Sequence, residues 1–419
     1  MMPAPRDMME SASRASGPRA PVRLGPRPLA LHTGTSFFTW SSAVMAALPG
    51  PAGAALWHPS LAQERAGLES ETAFAEQPAL QLAVAEAAGR RLKDFLDGLS
   101  AYQRHPFRRP EHQGRKVAEA GATRVLAYSD SGPPVLLVPS LVNPATILDL
   151  LPERSFVRSL AGRGYQPLVV DWGEPGKAEA GMGLGAYIGR LAGLIQEIAA
   201  DGAVPVIGYC MGGNLALAAS LIAANSVSAL GLLATPWNFH ADPAPMSAHF
   251  LESLTAFESF DGIARTVPIE VFQVFFASLD PALTDRKFRR FARIDPESDE
   301  ARMFVAVEDW ANSGAPVTLQ VAIDCLADWY IGNRPACGTW AVEGETVDPG
   351  QFSAPTLVAV PRRDRIVPPD SALALAEALP GPTLLRPPSG HVGMMVSSAA
   401  ERGLYGPVAD WLDDVSRKR

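Results

Sequence analysis

The sequence predicts an α/β protein with a mainly parallel, doubly wound sheet and a helical insertion capping one end of it. Three observations carry this. From Thr123 onward, short apolar runs alternate with amphipathic helical stretches. That rhythm stops near His240 and resumes at Thr356, and the interval of about 240–349 is instead rich in aromatic helical segments. One apolar run, Val204 to Ile207, leads straight into Gly208-Tyr-Cys210-Met-Gly212-Gly213 and a helix of small residues.

Composition narrows the class. A chain of 419 residues, 47% hydrophobic and 19% charged, holds one large domain plus appendages. The net charge of -8 has both signs spread along the chain, which excludes a nucleic-acid footprint. Three cysteines, Cys210, Cys325 and Cys337, argue against a disulfide framework and fit a reducing cytoplasm. No Cys/His cluster has metal-ligand spacing, and no cofactor is implied.

Residues 1–70 are expected to be mostly disordered or loosely docked. Met1 to Pro28 is rich in Pro, Ala, Ser and Arg without aliphatic periodicity. Ser36 to Trp57 is mildly apolar and follows Arg19, Arg23 and Arg27, so a signal peptide is weighed. The run sits late, is short for a membrane span and is broken by Pro49 and Pro51. It reads better as a docking or surface-associating helix, with contact to a membrane or granule as the alternative. Residues 71–122 form a helical region, with Leu80, Val84, Ala87, Phe95 and Leu99 on a loose apolar stripe.

Residues 123–419 form the catalytic domain. Arg124–Tyr128, Val135–Val138 and Pro167–Val170 are predicted strands, with a helix over Arg154–Ala161. Leu184, Ile188, Leu191, Ile195 and Ile198 follow 4, 3, 4, 3 spacing, an amphipathic helix. Ala229–Ala234, Thr356–Val360 and Thr383–Leu385 are further strands, Ser371–Leu379 a helix and Tyr405–Val415 the last helix. The insertion, with Val271–Phe276, Phe288–Phe291, Trp310, Trp329 and Tyr330, is expected to cap the carboxyl ends of the strands.

The Gly-x-Cys-x-Gly turn between strand and helix is the nucleophile elbow of an α/β-hydrolase fold, with Cys in place of the usual Ser. Its bland competitor is a Gly-rich βα turn around a buried structural Cys. An activated Cys needs a base and the base needs an orienter, in chain order nucleophile, acid, His. Asp364 follows the first strand after the insertion. His391 follows the next, between Gly390 and Gly393. An imidazolium partner and the helix dipole both favour the thiolate. The oxyanion needs two backbone donors: Met211 N–H, and one from the Ser140–Asn143 loop, either Leu141 or Val142. Cys325 and Cys337 have no elbow and no nearby base, and read as structural.

Together these residues resemble the polyhydroxyalkanoate synthase family. The resemblance rests on Gly208–Gly213, Leu141–Leu150 with Asn143 and Asp149, Asp171-Trp172, Trp310-Ala-Asn312, Arg363–Pro368 and Ser389-Gly-His391. It runs from about Gly98 to Val415. It departs where Arg365 stands for the family's common His, where Pro369 stands for a frequent Trp, in the Pro144-Ala-Thr146 that follows Asn143 in place of bulkier basic and aromatic residues, and in a shorter amino-terminal region than the two-domain members have. The resemblance implies that a hydroxyacyl-CoA loads Cys210 as a thioester and that His391 activates thiol and then hydroxyl. The chain then passes to a growing polyester and CoA leaves. It also implies a homodimer or a partner synthase subunit, and contact with a polymer-granule surface. The rival is a Cys-dependent hydrolase of a thioester, lactone or polyester. A third reading is a non-catalytic granule protein that kept the fold.

Overall fold

The computed structural model describes residues 22–48, 53, 55–72, 77–242, 247–258 and 265–417. An eight-stranded sheet forms the centre: β1 (Arg115–Ala120), β2 (Thr123–Ala127), β3 (Pro134–Val138), β4 (Gln166–Asp171), β5 (Val204–Tyr209), β6 (Val227–Leu233), β7 (Thr356–Ala359) and β8 (Thr383–Leu385). Their order is β1-β2-β4-β3-β5-β6-β7-β8. β2 is antiparallel to β1 and β4, and every pair from β4 to β8 is parallel.

The helices of the described residues include α1 (Leu29–Ala46), α2 (Gln77–Arg104), α3 (Phe156–Gly162), α4 (Leu184–Ile198), α5 (Met211–Ile222), α6 (Ile269–Leu279), α7 (Leu283–Phe291), α8 (Asp299–Ala311) and α9 (Gly406–Arg417). Side chains alternate across each strand, so one strand feeds two cores. Leu136 and Val138 of β3 face α4 and α5, while Val135 and Leu137 face α3 and α9. β6 is buried at all seven positions, as a central parallel strand must be.

The strands and helices predicted after Thr123 are present, with ends displaced by at most two residues. The domain starts earlier than expected. Arg115–Ala120 lies inside the predicted helical region, yet it pairs with β2 as the edge strand β1. Only Ala118 of β1 is buried, which left the alternation too weak to read.

The insertion leaves the sheet after β6 and returns at β7. Its helices α7 and α8 join α2 in a third core, where Phe95, Leu99 and Tyr102 meet Phe288, Phe291 and Val305. Phe291 and Phe304 stack at 4.2 Å between centroids.

Residues 1–21 lie outside the described residues. The stretch after them is anchored more firmly than a loosely docked segment. Arg23 is almost fully buried: its Nε donates to Asp309 at 2.6 Å and its Nη1 to the His105 carbonyl at 2.5 Å. Its Nη2 donates to the Phe107 carbonyl. Downstream, the Ser36 hydroxyl and Trp40 Nε1–H both donate to Asp285 of α7. No helix among the described residues is long and apolar enough to cross a membrane.

Candidate active site

The turn between β5 and α5 explains its glycines. A Cβ on Gly208 would lie 2.4 Å from Gly213 Cα, and one on Gly212 would lie 2.2 Å from the Val138 carbonyl oxygen. One on Gly213 would meet the Thr235 hydroxyl at 1.8 Å. Cys210 itself takes φ 55° and ψ -132°, a strained conformation for a non-glycine residue. That strain holds the sulfur at the head of α5.

Two loops bring the other groups to it. The ladder between β7 and β8 continues past both strands: Val360 N–H donates to Leu385, Arg362 N–H to Pro387 and Arg363 N–H to Ser389. The Arg363 guanidinium also donates to the Pro388 carbonyl at 2.6 Å. The loops therefore run side by side, and Asp364 meets His391 across them. Asp364 Oδ2 accepts from His391 Nδ1 at 2.7 Å, while Oδ1 accepts from the Ile366 and Val367 amides, each at 2.9 Å. The carboxylate is thus fully bonded and aimed. Nε2 is left free of Asp364, and the Cys210 side chain acts on the same ring.

Burial opposes charge on His391, but the Cys210 and Asp364 charges and the bonds to both override it, raising its pKa to about 10. A raised folded-state pKa adds stability that is complete below the unfolded value near 6.5 and is lost as pH rises through about 10. Denaturant unfolding of the protein and of His391→Gln should therefore differ most near pH 6 and converge towards pH 10. A constant difference across that range contradicts the assigned protonation. Alkylating Cys210 with iodoacetamide removes one of the supporting charges and should move the transition to lower pH.

The loop after β3 completes the surroundings of the sulfur. Two indoles pin it: Trp172 Nε1–H donates to the Pro139 carbonyl at 3.0 Å, and Trp310 Nε1–H to the Pro144 carbonyl at 2.9 Å. Asp149, further along, accepts from His112 at 2.6 Å and from Arg158 of α3 at 3.0 Å. Met211 begins α5, so its N–H has no intrahelical acceptor. Val142 lies beside Cys210, but its N–H donates to the Ser140 hydroxyl at 3.2 Å. Leu141 is buried and lines neither cavity at the sulfur.

Those cavities were beyond sequence reasoning. One, of about 240 Å³, is walled by Phe250, Phe272, Phe275, Leu326, Trp329 and Tyr330. The second, of about 360 Å³, includes Arg27, His32, Asn143, Gln273, Lys287 and His391. Both contain Cys210, Ser140, Val142, Phe276 and Ile366, so the sulfur stands where two chambers meet. Cys325 and Cys337 both form no disulfide. Cys325 shares the aromatic chamber with Cys210, and burial pushes its thiol well up, leaving it an inert thiol. Cys337 is exposed. No group of three or more His, Cys, Asp or Glu among the described residues could hold a metal ion.

Comparison with known proteins agrees with this architecture. A model of the alpha/beta hydrolase fold matches residues 133–398. Three curated relatives are each a poly(3-hydroxyalkanoate) polymerase subunit PhaC. The protein of Haloferax mediterranei is 27% identical over 68% of this chain and 59% of its own length. That of Haloarcula marismortui is 26% identical over 71% of this chain and 64% of its own length. That of Allochromatium vinosum is 27% identical over 67% of this chain and 81% of its own length. The chain thus spans about three fifths of the two haloarchaeal relatives it matches. It belongs to the α/β-hydrolase fold family, among relatives of the poly(3-hydroxyalkanoate) polymerase subunits.

Proposed function

We propose that this protein is a polyhydroxyalkanoate synthase-like acyltransferase that uses Cys210, His391 and Asp364. The supporting observation is a sulfur on a strained elbow at the junction of two chambers, one of them lined by a carboxylate-oriented imidazole.

The Cys210 thiolate attacks the thioester carbonyl of a 3-hydroxyacyl-CoA. The negative charge moves to the carbonyl oxygen, where the Met211 N–H is one donor. The second donor is the Val142 N–H, once it releases the Ser140 hydroxyl. The C–S bond to CoA breaks, and the proton on His391 Nε2 passes to the departing CoA sulfur. The acyl group now rests on Cys210. Neutral His391 then takes the proton of an incoming hydroxyl as that oxygen attacks the acyl-enzyme. The Cys210 thiolate leaves and the imidazolium is restored, so atoms and charge balance over the cycle. Asp364 holds the imidazole tautomer throughout.

Exchange between thioesters is close to thermoneutral, so a Cys acyl-enzyme suits transfer to a second acceptor. The aromatic chamber gives an acyl chain a dry seat. Incubation with 3-hydroxybutyryl-CoA is expected to release CoA and deposit insoluble polyester. Release of CoA with free 3-hydroxybutyrate alone would assign the site to hydrolysis.

A further inference from the structure

His391 lines the second chamber and not the aromatic one. The CoA sulfur that leaves the acyl carbon must collect its proton from His391, so it must depart into that second chamber. The acyl chain is then left to the aromatic chamber. This separation rests on the acyl-transfer reading above, and it makes the other groups lining the second chamber the ones that meet the carrier.

Two permanent cations line that chamber, Arg27 and Lys287. Lys287 is committed: it bonds the buried carboxylate of Glu308 at 2.8 Å. Arg27 is not. Its one ion pair, to Glu270, is 3.4 Å long with both side chains more than a third exposed. Such a pair contributes little in water and exchanges readily for a better anion. The position of Arg27 is nevertheless fixed. Its N–H donates to Asn312 at 2.7 Å, and its carbonyl accepts from His32 Nε2 at 3.1 Å. Four residues earlier, Arg23 bonds the chain to Asp309, His105 and Phe107. The amino-terminal stretch thus presents one weakly engaged guanidinium, on a rigid backbone, at the wall of the chamber through which the carrier leaves.

We propose that Arg27 is the anion-recognising residue for the carrier, binding phosphate oxygens of the CoA arm. A guanidinium offers paired donors to phosphate, and a backbone held in place beforehand reduces the ordering cost of binding. Arg365 is the competing cation, at the aromatic chamber. It bonds Asp280, a carboxylate it shares with Arg286 and that is only 20% exposed. Both arginines hold that carboxyl below the usual range against the opposing effect of burial; the Arg365 side chain is itself 78% exposed, but its 3.0 Å contact is shorter than the 3.4 Å contact of Arg27.

The test compares two thioesters. Arg27→Ala should raise KM for 3-hydroxybutyryl-CoA by about tenfold or more, with kcat within about twofold. For 3-hydroxybutyryl-N-acetylcysteamine, which has no phosphate, both constants should stay within about twofold. Arg27→Lys should recover part of the loss. An equal rise for both thioesters would mean general damage to the chamber and overturns the assignment. So does a CoA-selective rise in Arg365→Ala with none in Arg27→Ala. Calorimetric titration with CoA alone reads the same contact without turnover. A weakened CoA affinity in Arg27→Ala, in a protein that turns over neither thioester, would keep the binding site and sink the acyl-transfer reading. Unchanged CoA affinity in Arg27→Ala sinks the binding site whatever the turnover.

Discussion

Cys210→Ala is expected to lower CoA release from 3-hydroxybutyryl-CoA by at least about a thousandfold. The substitution removes one sulfur atom and little else. The backbone at 210 is held by its own bonds, with Cys210 N–H donating to the Leu233 carbonyl at 2.8 Å and Gly213 N–H to the Cys210 carbonyl at 2.9 Å. Alanine meets the same positive-φ strain as cysteine, so the elbow keeps its shape. A thermal midpoint close to that of the parent protein would show that the fold is unharmed. Substantial turnover in this variant would mean that the sulfur is not the acyl acceptor, and synthase and hydrolase readings would fail together.

The second large effect falls on folding. Gly212→Ala places a methyl group 2.2 Å from the Val138 carbonyl oxygen, which is backbone of a central strand and cannot rotate away. The cost should be about 3 kcal/mol or more, read as a fall in the thermal midpoint or as loss of soluble protein. Gly193 supplies the contrast. It sits exposed within α4, and a Cβ there meets nothing within 4 Å. Gly193→Ala should be neutral or add about 0.5–1 kcal/mol through helix propensity. Equal tolerance of the two substitutions would contradict the packing at the elbow.

How much was legible in the sequence follows from where the determinants lie. The elbow was legible because its three glycines fall within six residues of chain, between an apolar strand and a helix of small residues, although only the Gly208 clash is local. Asp364 and His391 were legible because each follows a short apolar strand, in the order the fold requires. The edge strand Arg115–Ala120 was not, since one buried residue in six gives no period to detect. The anchoring of the amino-terminal stretch was not, because Arg23 finds Asp309 across 286 positions of chain. Nothing near Arg23 in sequence marks it as buried. The two chambers were illegible for a similar reason: their walls come from the insertion, the loop after β3 and the amino-terminal stretch together. Sequence could not choose between Leu141 and Val142 as a backbone donor, and of the two only Val142 borders the chambers.

The aromatic contacts of α2 with α7 and α8 carry a mechanical consequence. They weld the cap to the amino-terminal helices, so the two cannot swing separately. Any wider opening above Cys210 must then flex at the chain crossings just after β6 and just before β7, or slide the loops around Cys210, while the welded mass travels as a single door.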